Sequence, residues 1–211
     1  MEYMTKTEIQ KWHKKFLGWI KNIRNKVREN GISFDCNLVG SAKRNLVIRH
    51  HNKGFDLDFQ IILRKNKNNL SEKCIKELFM NLLNPLLVKE GFEHCKDSTS
   101  AITIKMVDCE KSKIITGYDV VILKRKIKNN VEFTEILRHH KNSKSDSWKF
   151  ELLPDMTNAS EQFRKIKGQN MWHDLRELYY DKKTNDRSGK KSFQLLHETV
   201  NEIVSKYANE E

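Results

Sequence analysis

The sequence predicts an α+β fold, a mixed sheet with flanking helices followed by a C-terminal helical layer. Helical and strand periods alternate over residues 1–125, whereas only helical periods follow over about the last fifty residues. The chain of 211 residues is 37% hydrophobic, which is enough apolar mass for a core. Its 40 Lys and Arg against 28 Asp and Glu give a formal net charge of +12. This excess favours polyanionic partners such as nucleotides or nucleic acid.

The first predicted helix extends from Thr5 to about Glu29 and ends at Gly31. Its apolar residues recur at three- and four-residue steps, as in an amphipathic helix, and are Ile9, Trp12, Phe16, Trp19, Ile20, Ile23 and Val27. From Lys11 to Arg28 the helix carries seven basic residues and no acidic one. Its outer face is therefore either a solvated surface or a nucleic-acid contact. We expect the tryptophans of the chain to pack in the core rather than stack on bases.

Strand patterns surround a second helix, which is predicted over residues 71–88 with Ser71 as its N-cap and Glu72 in its first turn. Runs rich in β-forming residues predict strands over residues 32–39, 55–63, 101–107 and 114–123. The last two strands are joined by a charged, hairpin-like connection at residues 108–113. We therefore expect an α/β core at residues 1–125.

A basic stretch with few apolar residues follows at residues 124–147, and both a mobile loop and a strand pair are compatible with it. We expect His139, His140 and the run from Lys124 to Lys126 to be exposed charge. Helices are then predicted over residues 159–167, 171–183 and 192–207. Tyr179 or Tyr180 either packs there or stacks on a nucleobase. The predicted domains are thus the core, a basic connecting segment at 126–157 and the helical layer at 158–211.

The cysteines and the hydropathy pattern indicate where the protein resides. Cys36, Cys74, Cys95 and Cys109 stand at unrelated spacings with no C-x-x-C pair, which fits a reduced intracellular compartment. No H-x-x-x-H repeat is present, so a structural zinc site is not predicted. No stretch approaches the roughly 18 apolar residues of a membrane span, and the first helix is too basic for a signal region. We expect a soluble, cytoplasmic protein with no membrane partner.

Two acids on the second strand pattern are the first candidate site residues. In the run from Phe55 to Ile61 the odd positions are apolar and the even positions polar. Because strand side chains alternate between faces, Asp56 and Asp58 project from one face. Two carboxylates on one face repel each other unless a cation lies between them, and oxygen ligands beside a substrate phosphate suit Mg²⁺. The pair therefore predicts a divalent metal site.

Asp119 is a third candidate, because it is the single acid in the apolar run from Gly117 to Leu123. An isolated carboxylate in such a run is costly to bury without a cation or strong donors. If its strand neighbours the Asp56 strand, the three acids can hold two metal ions roughly 3.5 to 4 Å apart. Such a pair of ions stabilises the attacking and leaving oxygens in phosphoryl or nucleotidyl transfer.

Gly40 and Ser41, at the end of the first strand pattern, form a candidate phosphate site. A glycine there lets the backbone approach a phosphate closely, and the backbone amides and the Ser41 hydroxyl can donate hydrogen bonds. Lys43 and Arg44 add positive charge. The segment is not a Walker loop, since G-x-x-x-x-G-K-[ST] is absent, and no G-x-G-x-x-G occurs either.

These parts together resemble the polymerase-β-like nucleotidyltransferase superfamily. The shared pattern is Gly40-Ser41 after an apolar strand, a spacer of fourteen residues, Asp56 with Asp58, and Asp119 on a later strand. The order of elements also resembles the branch of oligoadenylate synthases, cyclic GMP-AMP synthase and their bacterial relatives. The resemblance implies a nucleotidyltransferase-type mixed sheet.

The resemblance also implies roles for these residues. Asp56 and Asp58 would bind both metals and the donor triphosphate, and Asp119 the metal that activates the acceptor hydroxyl. Gly40 and Ser41 would hold the phosphates, with Lys43 adjacent. On the helical layer, Lys182 or Lys183 and Ser192 would touch the nucleotide. The implied cofactors are two Mg²⁺ or Mn²⁺ ions, and the implied substrate is a nucleoside triphosphate such as ATP.

The leading hypothesis is therefore a metal-dependent nucleotidyltransferase that moves an NMP from an NTP to an acceptor hydroxyl with release of pyrophosphate. The acceptor can be a nucleotide, an RNA end, a small molecule or a protein side chain, and the biological setting includes a toxin or defence protein. The rival hypothesis is a catalytically inactive protein of this fold that binds nucleic acid through its basic segments. The sequence leaves the acceptor and the oligomeric state open.

Overall fold

The computed structural model of the chain describes residues 1–51, 53–142, 145–153, 157–187, 189–190 and 192–208. The chain divides into two compact units, one of residues 2–153 and one of residues 154–211 with Met1. The elements of the larger unit are β1 (Glu2–Tyr3), α1 (Lys6–Glu29), β2 (Ile32–Leu38), α2 (Gly40–Lys43), β3 (Ile48–Arg49), β4 (Asp56–Asn66), α3 (Glu72–Lys89), β5 (Lys96–Asp97), β6 (Ile102–Asp108), β7 (Lys113–Lys128), β8 (Val131–His140) and β9 (Ser147–Leu152). The smaller unit has α4 (Thr157–Gly168), α5 (Trp172–Asn185) and α6 (Ser192–Ala208).

The predicted helices and strands are present with small changes at their ends. Strands β4 and β7 are longer than predicted, since they continue to Asn66 and Lys128. In the stretch at residues 124–147, of which 143 and 144 lie outside the described residues, the strand alternative is confirmed. Here β7 continues into the hairpin with β8, and β9 pairs with β8 in the same sheet. The predicted domain boundaries after residues 125 and 157 stay a prediction.

The main sheet is mixed. Its strands lie in the order β2-β4-β7-β6-β5, and β8 pairs with β7 and β9. Strands β4 and β7 run parallel, whereas β4 is antiparallel to β2 and β7 is antiparallel to β6. A parallel pair needs a long crossover between its strands, and here the crossover contains α3, β5 and β6. This connection brings two strands that are far apart in sequence side by side.

The core lies on one face of this sheet, where α1 and α3 supply apolar side chains. Phe16 and Trp19 of α1 pack in an aromatic cluster with Phe59 of β4 and Tyr118 of β7. The Tyr118 hydroxyl donates to the carbonyl of Trp12 at 3.1 Å, and burial raises the pKa of Tyr118. Trp12 packs against the same cluster. The predicted core role of these two tryptophans is confirmed.

The N-terminus of α1 is held by a capping box. The backbone N–H of Glu8 donates to the Thr5 hydroxyl at 3.3 Å, and the Thr5 N–H donates to the Glu8 carboxylate at 2.9 Å. Arg49 of β3 donates to the same carboxylate at 2.7 Å. The hydrogen bond from Arg49, followed by those from Thr5, lowers the pKa of Glu8 from 4.5 to about 2.

This contact predicts a pH dependence of stability. Because the Glu8 pKa is lower in the folded state, its contribution is complete above about pH 4.5 and is lost as the pH falls towards 2. We expect Glu8→Gln to lower the free energy of unfolding at neutral pH, and the difference from wild type to shrink through that window. Urea unfolding measured between pH 7 and pH 2.5 tests this. A difference in the free energy of unfolding between wild type and Glu8→Gln that stays constant with pH would contradict the contact. Glu29→Gln, which removes a carboxylate at the other end of α1, is the control.

The prediction that His139 and His140 are both exposed is wrong for His139. His139 is buried with its ring stacked on Trp148, the ring centroids being 4.1 Å apart. Its Nδ1 lies 3.0 Å from the Asp97 carboxylate and its Nε2 lies 3.1 Å from the Asp146 carboxylate. Side chains alternate along β8, so His139 faces inward while His140 stays exposed.

The smaller unit is helical, as predicted. Its interior contains Leu175 and Tyr179 of α5 together with Leu195, Leu196, Val200 and Ile203 of α6. Since the Tyr179 side chain is fully buried, it packs rather than offering a face to a nucleobase. Among the described residues, none of the helices has the length and apolar character of a membrane span.

Candidate active site

The acids of β4 lie on the face of the sheet opposite the core. The alternate residues Leu57, Phe59 and Ile61 are buried against α1 and α3. Asp56 and Asp58 therefore project from the other face, where Asp56 is exposed and Asp58 half-buried. The local alternation in the sequence is sufficient to produce this arrangement.

Strand β7 brings the third acid to the same place. In the parallel pairing of β4 with β7, Asp58 is the register partner of Asp119, and Asp56 is the partner of Gly117. Register partners on neighbouring strands project from the same face, and the strands lie about 4.8 Å apart. Asp56, Asp58 and Asp119 thus share one face at one end of two adjacent strands.

Thr103, which no pattern in the sequence singles out, orients Asp119. The hydroxyl of Thr103 on β6 donates to Oδ1 of Asp119 at 2.7 Å, and the two residues are register partners. This hydrogen bond supplies the strong donor that an acid in an apolar strand requires. Alternation with the buried Ile102 and Ile104 places Thr103 on the polar face of its strand. Only the pairing of β6 with β7 shows which acid it reaches.

Glycines make room for two of the carboxylates. Gly40 has a φ of +63°, in the left-handed region that favours glycine, and a Cβ atom there would overlap with Oδ2 of Asp58. A Cβ atom on Gly117 would overlap with Oδ1 of Asp56. Each carboxylate therefore lies directly against a position without a side chain. The Gly40 turn is in this way built into the acid site.

The turn at Gly40 and Ser41 is fixed beside β4 by its hydrogen bonds. The N–H of Val39 donates to the carbonyl of Asp58 at 2.9 Å, and the Arg44 guanidinium donates to the carbonyl of Gly40 at 3.1 Å. Burial lowers the pKa of Arg44, while Lys43 is exposed. Gly40 and Ser41 thus lie next to the acids, and binding of phosphate by Gly40, Ser41 and Lys43 stays a prediction.

The nucleotide contacts expected from the helical layer lie in the smaller unit. Lys182 pairs with Glu202 at 2.5 Å, which links α5 to α6. The ammonium of Lys183 lies 6.0 Å from the centroid of the Tyr179 ring. Ser192 is the first residue of α6. A nucleotide contact by Lys182, Lys183 or Ser192 stays a prediction.

The three carboxylates, those of Asp56, Asp58 and Asp119, suit a divalent ion such as Mg²⁺ or Mn²⁺, because hard ions prefer carboxylate oxygens. In the described part of the chain, no three His, Cys, Asp or Glu side chains form a metal cage by themselves. Mg²⁺ is usually held by one or two carboxylates, with water and substrate phosphates completing its oxygen shell. Asp56, Asp58 and Asp119 are the residues that would hold such an ion.

Comparison with known proteins finds no matching family model and no matching curated relative. Solved structures do match. The Vibrio cholerae DncV cyclic AMP-GMP synthase, described as a prokaryotic cGAS homolog, matches with a TM-score of 0.57 at 16% identity, over 83% of this chain and 46% of that one. Its GTP-bound form matches with a TM-score of 0.57 at 14% identity, over 96% and 57%.

A synthase from a second organism matches as well. The Elizabethkingia meningoseptica CdnE cyclic dinucleotide synthase, with GTP and Apcpp, has a TM-score of 0.53 at 11% identity, over 94% of this chain and 75% of that one. This chain spans about half the length of the DncV chains it matches. The chain therefore shares the mixed α+β fold of these bacterial synthases, and the predicted mixed sheet with flanking helices and a C-terminal helical layer is confirmed.

Proposed function

We propose that the chain is a metal-dependent nucleotidyltransferase that moves an NMP from an NTP to an acceptor hydroxyl and releases pyrophosphate. The observation that carries this proposal is the register of β4 with β7, which pairs Asp58 with Asp119 and puts Asp56 on the same face. The Gly40-Ser41 turn beside Asp58 supports it. The fold shared with bacterial cyclic-dinucleotide synthases supports it further.

In this reaction the residues of the chain bind the ions and the substrates and orient them. The acceptor oxygen forms a bond to the α-phosphorus of the NTP, the bond from that phosphorus to the bridging oxygen breaks, and pyrophosphate leaves with the electron pair. Asp56 and Asp58 would hold two Mg²⁺ or Mn²⁺ ions together with the donor triphosphate, and Asp119 would hold the ion that activates the acceptor hydroxyl. When bound, such ions neutralise phosphate charge and make the acceptor hydroxyl more acidic, so that its proton passes to solvent.

The phosphates need donors as well as ions. In this proposal the backbone N–H of Gly40 and the hydroxyl of Ser41 donate to phosphate oxygens beside Asp58. Arg44 holds the Gly40 carbonyl and so fixes the turn. Thr103 holds Asp119 in one orientation. In this mechanism the protein mainly positions groups and balances charge, as phosphoryl-type transfer requires.

An NTP donor is favoured by the neighbouring structures, which include DncV with GTP and with 3'-deoxy ATP. A direct test incubates the protein with each of the four NTPs, labelled at the α-phosphate, together with Mg²⁺ or Mn²⁺. We expect pyrophosphate release and a labelled product, a linear or cyclic oligonucleotide or an extended RNA, and EDTA should abolish both. The absence of pyrophosphate and of labelled product with every NTP, in mixtures and with added RNA, would reject the proposal.

A second candidate function is nucleic-acid binding without chemistry. The observation that favours it is a cavity of about 270 Å³ lined by Arg24 and Arg28 of α1, Arg64 of β4 and Asp35 of β2. Arg64 pairs with Asp35 at 2.6 Å, which leaves an excess of positive charge at this cavity. RNA or DNA binding that weakens steeply with salt and needs neither NTP nor metal would support this function.

A further inference from the structure

Strand β6 adds a cation to the face that carries the acids. Thr103 and Lys105 are two residues apart on β6, and their register partners on β7 are Asp119 and Gly117. Because register partners share a face, Lys105 projects from the same side of the sheet as Asp56, Asp58 and Asp119. Two rows of residues therefore run across strands β4, β7 and β6. One row contains Asp56, Gly117 and Lys105, and the other contains Asp58, Asp119 and Thr103.

The row that contains Lys105 has no side chain at its middle position. Gly117 stands there, and the Asp56 carboxylate extends over it, since a Cβ atom on Gly117 would overlap with Oδ1 of Asp56. No side chain of β7 therefore separates Lys105 from the Asp56 carboxylate, although their strands are two spacings, or about 9.6 Å, apart. Lys105 is half-buried, and within the described residues its ammonium has no ion-pair partner. A lysine side chain carries a mobile point charge with three donors. Lys105 thus offers a positive charge beside the acids.

The order of the strands indicates on which side of the acids Lys105 lies. The Gly40-Ser41 turn follows β2, and the sheet order β2-β4-β7-β6 puts Lys105 on the opposite side of the acids. In nucleotidyl transfer the attacking and leaving oxygens lie roughly in line on opposite sides of the phosphorus. If the triphosphate lies on the Gly40 side, the acceptor approaches from the side of β6.

We propose that Lys105 is an acceptor-binding residue whose ammonium binds a phosphate carried by the acceptor. The proposal rests on the proposed function, and it makes Lys105 the residue that distinguishes a nucleotide acceptor from an uncharged hydroxyl compound. Lysine commonly binds phosphate as a point charge. A hydrogen bond to a charged group contributes enough that its loss weakens binding by about tenfold to a hundredfold.

A binding experiment tests this without turnover. The full chain is saturated with a nonhydrolysable ATP analogue and Mg²⁺, and each of the four nucleoside monophosphates is then titrated by calorimetry. We expect Lys105→Gln to weaken binding of the preferred monophosphate by about tenfold or more and to leave binding of the ATP analogue within about twofold. Lys105→Arg should retain most of the affinity, because it keeps the charge.

Lys96→Gln is the matched control. Lys96 on β5 is the register partner of Thr103, and its ammonium is held by Glu93 at 3.0 Å. This variant removes a neighbouring positive charge that is already paired with Glu93, so we expect wild-type monophosphate binding. Unchanged binding in Lys105→Gln, equal losses in both variants, or no monophosphate binding by the wild type would overturn the proposal. Far-UV circular dichroism and the unfolding temperature verify that each variant is folded.

Turnover supplies a second readout. Lys105→Gln should raise the KM for the acceptor while the KM for the donor and the kcat stay close to wild type. A fall in kcat with an unchanged acceptor KM would contradict acceptor binding. A wild-type chain that releases no pyrophosphate from any NTP would defeat the proposed function, whereas the calorimetric result would still decide whether Lys105 binds phosphate.

Discussion

Replacing Asp58 with Asn should abolish nucleotidyl transfer while the fold stays intact. Asp58 stands between Gly40 and Asp119 on the acid face, so the substitution removes a charge without changing the shape of the site. Loss of one carboxylate that holds the ions and the triphosphate should lower turnover by about a thousandfold or more. The core packs on the other face of β4, so we expect the variant to fold.

Pyrophosphate release and thermal unfolding measured on the same samples test this prediction. Asp35→Asn is the matched control, because Asp35 lies on the neighbouring strand β2 and its carboxylate pairs with Arg64 rather than with the acid site. We expect nearly wild-type turnover from this control. Turnover by Asp58→Asn at the level of the control would show that neither Asp58 nor a metal ion bound by it is needed for the reaction.

Gly40→Ala should lower turnover sharply, although it adds only one methyl group to the site. The added Cβ atom would overlap with the Asp58 carboxylate, which must then move away from its position beside Asp119. A displacement of about 1 Å at a reacting centre can lower the rate by about a hundredfold. The positive φ of +63° adds a stability cost of about 1 to 2 kcal/mol for a residue with a Cβ atom.

Gly91→Ala separates these two effects. Gly91 has a similar φ of +79°, but nothing lies within 4 Å of the added Cβ atom. We therefore expect both variants to lose similar stability in urea unfolding, and only Gly40→Ala to lose turnover. Equal activity in the two variants would show that the Gly40 contact does not position Asp58.

The local parts of the fold follow from the sequence alone. The apolar period between Ile9 and Val27 is sufficient for α1, because helix periodicity depends on residues three and four positions apart. Ser71 caps α3 as predicted, its hydroxyl accepting from the Cys74 N–H at 3.3 Å. The alternation along β4 likewise puts Asp56 and Asp58 on one face, since side chains of a strand change sides at every residue.

Burial of single polar residues depends on partners that local periods do not reveal. His139 and His140 are chemically identical, yet one stacks on Trp148 beside Asp97 and the other is exposed. Which of the two faces inward depends on the pairing of β8 with β9 and on the contact with β5. The sequence pattern there is too polar to show which face of the strand is covered.

The amino-acid sequence is enough to predict the helices, most of the strands, the shared face of Asp56 and Asp58, and the Gly40-Ser41 turn. The position of Asp119 beside Asp58, its hydrogen bond from Thr103, and the place of Lys105 on the same face become visible only in the folded chain. Strand register joins residues that are tens of positions apart, and it is set by packing of the whole sheet rather than by any local period.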